Sequence, residues 1–347
     1  MNFALIPYSI DKYEDKYFYE VDKQGEKEFV SDDIREFWQY FVDQGDEIHT
    51  IDYYADSLER ADFFLIFNVD WKWISRIVRE GYADRMVYCN AEPPTVLRLN
   101  SPKGFKILEE IFPYILTWNR DWIDGRRIFL RNIPYNFEYH FGNVSYENRK
   151  LLTAITANKK SHYKYELYSE RERAYAFFEK ELPNDFTFYG VGWNQENHPG
   201  YGGCVNSKFE TYHQYRFALC LENTRNVKDY VTEKIFDCLC SGIVPIYGGA
   251  SNIHEIVPEN CYIDYFSFDS LEAMKNFILN IDKNRYQSYL NAAQKFIESD
   301  VKVKYTRKQY AEYIYKAIKT HNDFKISVHG RGIVEFMKLK QVMNSIL

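Results

Sequence analysis

The sequence predicts an α/β protein of two domains, each built on a parallel sheet, with a cleft between them. Three observations lead there. Short runs rich in β-branched and aromatic residues alternate with longer runs of helical period over nearly the whole chain, the pattern of parallel strands joined by crossover helices. The chain has 347 residues, near the upper limit for one hydrophobic core, so two domains are expected. No internal repeat or low-complexity linker interrupts the alternation.

The elements follow in order. NFALIPY from Asn2, DFFLIFNV from Asp62, RMVYCN from Arg85 and YILTWN from Tyr114 read as strands. Between them, DDIREFWQYFVDQG sets Ile34, Phe37, Trp38 and Phe41 on one helical face. KLLTAITA from Lys150 and FTFYGVG from Phe186 are strands flanking the helix SERERAYAFFEKEL from Ser169. RFALCLEN from Arg216, YVTEKIFDCLCSG from Tyr230 and IVPIYGG from Ile243 make a strand, loop, helix, strand unit, followed by CYIDYF and the helix SLEAMKNFILNI. From Asp282 to about Thr320 the pattern is helical, and the tail beyond shows no clear core face. The polar stretch NVSYENR marks a seam, which divides the chain into domains at 1–150 and 151–325 and a tail at 326–347. The C-terminal helices are long enough to cross back onto the first domain.

Composition narrows the function classes. The net charge of -6 is spread along the chain, so no basic stripe is available to follow a nucleic-acid backbone. No run of 18 apolar residues occurs, and the first residues lack a basic and then apolar layout, which reads as a soluble, cytoplasmic chain. The six cysteines match no zinc spacing; buried thiols in a reducing compartment are expected. The eight histidines form no HxxxH or HxE pattern, so a protein-bound metal is not expected; no tightly bound cofactor is expected either. The 31 Tyr and 26 Phe suit carbohydrate stacking and core packing alike.

Two places have the residue types of a chemical site. In an open parallel sheet the ligand lies beyond the carboxyl ends of strands, where Glu222, Asn223 and Thr224 follow RFALCLEN. The next helix starts near Thr232, and its first-turn amides form an anion site to which Glu233 and Lys234 belong. Spacing alone leaves a plain helix cap with a solvated Lys234 equally open. Gly242 ends that helix, and Gly248 and Gly249 permit close backbone approach after the strand that Pro245 opens. The second place is RMVYCNAEPP, where Glu92 stands just past a strand and Pro93 and Pro94 fix the loop. A rigidly held carboxylate is what a general base needs, with an ordinary loop carboxylate as the alternative.

The run YRFALCLENTRNVKDYVTEKIFDCLCSGIVPIYGGASNIHEIVPENCYIDYFSF resembles the signature block of the alpha-1,3-fucosyltransferases, glycosyltransferase family ten, of bacterial type. The resemblance implies a GT-B fold, two Rossmann-like domains facing a central cleft, with the acceptor on the first and a GDP-sugar donor on the second. It implies inverting transfer of L-fucose from GDP-β-L-fucose to a hydroxyl of an acceptor glycan, such as an N-acetyllactosamine-type or other surface glycan. Carried over by position, Asn223, Tyr230, Glu233 and Lys234 contact the donor, Lys234 at the diphosphate and Glu233 near the fucose in a catalytic role. Arg171 is the further donor residue, with Arg173 as alternative, and Glu92 is the catalytic base. No divalent cation is required on this reading. The cysteine bridges and membrane anchor of animal members are not apparent, nor are the heptad repeats of some bacterial members. A bacterial-type cytosolic enzyme, with peripheral association at the inner membrane surface, is therefore expected; the sequence is silent on its oligomeric state. Three alternatives stand beside this reading: a retaining GT-B enzyme, the same chemistry on another GDP-sugar, and an inactive nucleotide- or carbohydrate-binding homologue. The ten residues between Glu222 and Glu233 disfavour the first, whose paired glutamates lie closer together.

Overall fold

The computed structural model describes residues 1–320, apart from Asn90 and Asn143, together with 330–338. The chain divides into two compact units. The first opens with β1 (Asn2–Ile6), a two-stranded antiparallel ribbon of β2 (Tyr19–Val21) and β3 (Lys27–Phe29), then α1 (Asp32–Asp43), β4 (Glu47–Thr50) and β5 (Phe63–Ile66). It continues through α2 (Trp71–Arg79), β6 (Met86–Tyr88), α3 (Pro102–Ile111), β7 (Tyr114–Thr117) and β8 (Ile128–Leu130). Six strands form a parallel sheet in the order β4-β1-β5-β6-β7-β8. Its middle strands are apolar throughout because both faces are covered. Phe3 and Leu5 of β1 pack on one side with Phe37 and Phe41, while Ala4 and Ile6 pack on the other with Ile74, Ile77 and Leu108. Local chemistry starts the helices: Asp70 accepts from the Lys72 and Trp73 amides, and Ser101 caps α3 with Pro102 in its first turn.

The second unit contains β9 (Lys150–Ile155), α4 (Tyr168–Glu181), β10 (Phe186–Tyr189), the short α5 (Lys208–Tyr212) and β11 (Tyr215–Leu221). After these come α6 (Glu233–Cys240), β12 (Val244–Gly248), β13 (Ile263–Asp264), α7 (Leu271–Leu279) and α8 (Lys283–Glu298). Five parallel strands run in the order β10-β9-β11-β12-β13. Their core joins Phe178, Phe186, Phe188, Phe217, Leu219, Ile246 and Met274. Gly242, at φ 64, provides the left-handed turn that ends α6.

The chain then returns. The helical stretch expected to run from Asp282 to Thr320 is broken by a 3-10 segment at Asp300–Tyr305, and α9 (Arg307–Thr320) follows. The apolar face of α9, formed by Tyr310, Ala311, Ile314 and Tyr315, joins the core of Phe3, Phe37 and Phe41. Tyr310 stacks on Phe37 at 5.7 Å, and Arg307 Nε donates to Asp33 at 2.8 Å. A helix at 330–338 buries Val334 completely against the opposite face of the same sheet, with Ile333 and Met337 packed around it.

The division therefore differs from the expected seams at 150 and 325. Unit 1 takes residues up to Glu92, Leu97–Pro134 and the described residues from Tyr305, whereas unit 2 takes Pro93–Val96 and Tyr135–Lys304. Residues after 134 belong to the second unit because Tyr135 and Phe137 pack on Phe236 of α6, at 5.3 and 4.9 Å. The tail, expected to have no core face, has one on 330–338; its remaining residues lie outside the described ones. CYIDYF contributes only the two-residue β13. Among the described residues no helix is long and apolar enough to cross a membrane.

Candidate donor site of the second unit

The strand order β10-β9-β11-β12-β13 reverses direction between β9 and β11. Loops leaving the carboxyl ends of those two strands diverge, and the crevice that opens there is where ligands bind in doubly wound sheets. A cavity of about 380 Å³ occupies this place, lined by Thr156 after β9, Gly190 and Val191 after β10, and Asn223 after β11. Two close approaches shape its floor. Tyr175 and Thr156 join their hydroxyls at 2.8 Å. Gly190, at φ 136, lies so near Thr156 that a Cβ there would sit 2.0 Å from the Thr156 carbonyl oxygen.

Cations reach this cavity from four places: Lys159, Arg171 of α4, Lys208 of α5 and Lys234 of α6. Arg171 is only 2% exposed. Its Nη2 donates to the carbonyls of Leu221 and Glu222, both at 2.7 Å, and to Asn223 Oδ1 at 3.0 Å. Arg171 thereby fixes the end of β11, and its buried Nε has no hydrogen-bond partner among the described residues. Thr232 caps α6, while its own amide and hydroxyl donate to Glu222, at 2.8 and 2.9 Å. Glu222 has no exposed surface and also accepts from Lys234 Nζ at 3.1 Å. Burial would lower Lys234, but the Glu222 and Glu233 charges outweigh it and hold the ammonium up at about 12. Burial would raise Glu233, yet Lys234 and Lys208 keep it below the usual carboxylate value; its side chain is 47% exposed. Lys208 pairs with Asp237 at 2.8 Å, and Asp237, which burial raises above its ordinary value, also accepts from Tyr135 Oη at 2.9 Å.

Four cations against the carboxylates of Glu233 and Asp237 in the lining and of Glu222 behind Lys234 leave a positive excess at the start of α6, which suits a diphosphate. Of the residues singled out in the sequence, Arg171, Asn223, Glu233 and Lys234 line this cavity. Tyr230 is buried, at 2% exposure, in the loop that joins β11 to α6 and is not among the lining residues. Arg173, the alternative to Arg171, is 60% exposed and paired with Glu170 at 2.5 Å. Glu92 belongs to the first unit and is exposed. Its carbonyl accepts from Asn100 Nδ2 at 2.5 Å, and Trp118 Nε1 holds the preceding Ala91 carbonyl at 3.0 Å. Sequence reasoning missed Lys208 and Lys159, which stand in no motif; only the sheet order brings them to the cavity. It also missed that Glu222 is the anchor of Lys234.

Two α/β units with parallel sheets and a ligand crevice at the switch point of the second define the GT-B class of glycosyltransferase folds. Solved structures agree. The chain is similar to an alpha1,3-fucosyltransferase crystallised with GDP, at TM-score 0.58 and 14% identity over 94% of this chain and 92% of that one. It is also similar to the trehalose-6-phosphate synthase OtsA, at TM-score 0.53 and 9% identity over 89% and 90%. Residues 147–327 match the sequence model of glycosyltransferase family 10 (fucosyltransferase), C-term, and the chain belongs to that family. An alpha-(1,4)-fucosyltransferase of Arabidopsis thaliana is 44% identical over 77 residues, 22% of this chain and 19% of the relative. The alpha-(1,3)-fucosyltransferase FucT of Helicobacter pylori is 34% identical over 101 residues, 28% and 20% respectively. The 4-galactosyl-N-acetylglucosaminide 3-alpha-L-fucosyltransferase 9 of Rattus norvegicus is 25% identical over 221 residues, 61% and 54%. The chain thus spans between a fifth and about half of the length of these curated relatives.

Proposed function

We propose that this chain is an inverting fucosyltransferase that moves L-fucose from GDP-β-L-fucose to a hydroxyl of an acceptor glycan. The observation that supports it best is the cation-lined cavity at the β9/β11 switch point in a member of family 10. GDP occupies that cavity, with its diphosphate on Lys234 and Arg171 and Lys208 beside it. Glu233 and Asn223 meet the fucose. Glu92 takes the proton from the acceptor hydroxyl as that oxygen attacks the anomeric carbon, and GDP leaves from the opposite face. The charge growing on the departing diphosphate is stabilised by cations already fixed in place, so little reorganisation is needed. The loop on which Glu92 stands, held through Asn100 and Trp118, supports its assignment as base. The six cysteines are free thiols, which fits a bacterial-type enzyme working in a reducing cytoplasm.

The test has two parts. Thermal shifts with GDP, UDP and CDP should show selective stabilisation by GDP. GDP-fucose and a β-galactoside acceptor should then yield an α-linked product. Equal stabilisation by all three nucleotides, or a β-linked product, would overturn the reading.

A further inference from the structure

A second and larger cavity, of about 720 Å³, opens in the same unit at the ends of β12 and β13. Its lining differs in kind from that of the donor cavity. Arg225 and His254 face the carboxylates of Glu259 and Asp264, so there is no cation excess to hold a phosphate. Tyr247 and Tyr262, only 1% and 6% exposed, back its wall edge to face at 6.1 Å. At the rim Phe266, 43% exposed, lies under the Arg225 guanidinium at 5.3 Å. An exposed ring for the C–H face of a sugar, and planar charged groups of both signs for its hydroxyls, are the complement of a neutral saccharide.

The walls are built, not incidental. The loop between β11 and α6 takes left-handed backbone at Asn226 and Asp229. It is clamped where the Asp229 amide donates to Asn252 Oδ1 at 2.9 Å and Asn252 Nδ2 returns to Asp229 at 3.0 Å. The Arg225 amide is held by the Tyr165 carbonyl at 2.9 Å. The partition between the two cavities is thin. Asn223 lines one and Arg225 the other. A Cβ on Gly249, which lines the second cavity, would lie 2.6 Å from Cγ of Glu222, the residue that anchors Lys234.

We propose that this second cavity binds a neutral saccharide unit of the acceptor glycan, so that the donor unit itself contributes an acceptor subsite bounded by Arg225, Tyr247, Tyr262, Asp264 and Phe266. The inference rests on the fucosyl-transfer reading. Occupancy beside the donor cavity orients the glycan next to the sugar that it receives.

The experiment uses the full chain saturated with GDP and N-acetyllactosamine as probe, read by saturation-transfer NMR and by steady-state kinetics. Phe266→Ala and Arg225→Gln alter exposed side chains. Each should raise the acceptor KM by about tenfold, the worth of one ring or planar contact, and weaken transfer of saturation to the disaccharide. GDP affinity and donor KM should stay unchanged. An acceptor KM equal to that of the parent in both variants would overturn the subsite, as would a donor KM that rises in step with it. Failure of the underlying reading looks different: the parent protein itself would then fail to bind GDP.

Discussion

Glu222, fully buried at the end of β11, accepts a hydrogen bond from Lys234 Nζ at 3.1 Å. The carboxylate keeps the ammonium charged and aimed, and the two residues should separate on mutation. Lys234→Met should weaken GDP binding by about ten- to a hundredfold, the range for one hydrogen bond to a charged group, as read by calorimetric titration. Glu222→Gln should cost about 3 kcal/mol of stability in urea unfolding, because it removes the buried one of the two carboxylates that balance a largely buried cation. Lys234→Met binding GDP as the parent does would exclude the diphosphate role.

Arg171 and Arg173 offer a matched pair. The Arg171 guanidinium spans two carbonyls and the Asn223 side chain, a geometry that an ammonium cannot copy. Arg171→Lys should lower stability by about 2 to 4 kcal/mol and reduce GDP affinity. Arg173→Lys, at an exposed ion pair, should stay within about 0.5 kcal/mol of the parent. Denaturant melts of both variants decide it, and similar losses would disprove the distinction.

The Asp33–Arg307 pair, at 2.8 Å, gives unit 1 a pH dependence. Burial raises Asp33, but the Arg307 charge and its hydrogen bonds lower it more, so its folded value lies below 3.8. The folded state then binds fewer protons than the unfolded one near pH 4. The pair's contribution is complete above that pH and lost as pH falls below it. Urea melts from pH 6 down to 3 should show this loss in the parent and a shallower slope in Arg307→Met.

Val334 tests the returning segment. With no exposed surface, Val334→Ala should destabilise the first unit by about 1 to 2 kcal/mol, and Val334→Asp by more. Hydrogen exchange would locate the effect at β5, β6 and α2. Unchanged protection there would mean that 330–338 does not belong to this core.

Glu92→Gln should lower kcat by about a hundred- to ten-thousandfold, the usual worth of a general base, while GDP affinity stays at the parent value. Rapid-quench turnover and calorimetry together measure it. Wild-type turnover in this variant would remove Glu92 from the mechanism.

Much of this was legible in the sequence because apolar periodicity and strand ends are local signals. RFALCLEN followed by YVTEK placed Asn223, Glu233 and Lys234 at the end of one strand and the start of one helix. Lys208 was invisible because α5 is five residues long and no spacing connects it with α6; the sheet order does. Resemblance favoured Arg171 over Arg173, but the charged run alone did not show which is buried, since burial depends on which face of α4 meets the end of β11. The seams were misread for a similar reason. Polar composition at 143–149 suggested a seam, but Tyr135 and Phe137 had already joined Phe236 by long-range packing. The core face of 330–338 rests on Ile333, Val334 and Met337 alone, too short a run to stand out.

The return of α9 and of 330–338 to the first sheet sets an order of events during synthesis. Residues 135–304 are contiguous apart from the small insertion at 93–96, so the second unit can close as soon as its last helix leaves the ribosome. The first unit, although begun earlier, must wait with Phe3, Phe37 and Phe41 partly uncovered until Tyr310 and Ile314 emerge. On this connectivity the usual amino-terminal precedence in multidomain folding should be inverted, with an apolar sheet face uncovered in the interval.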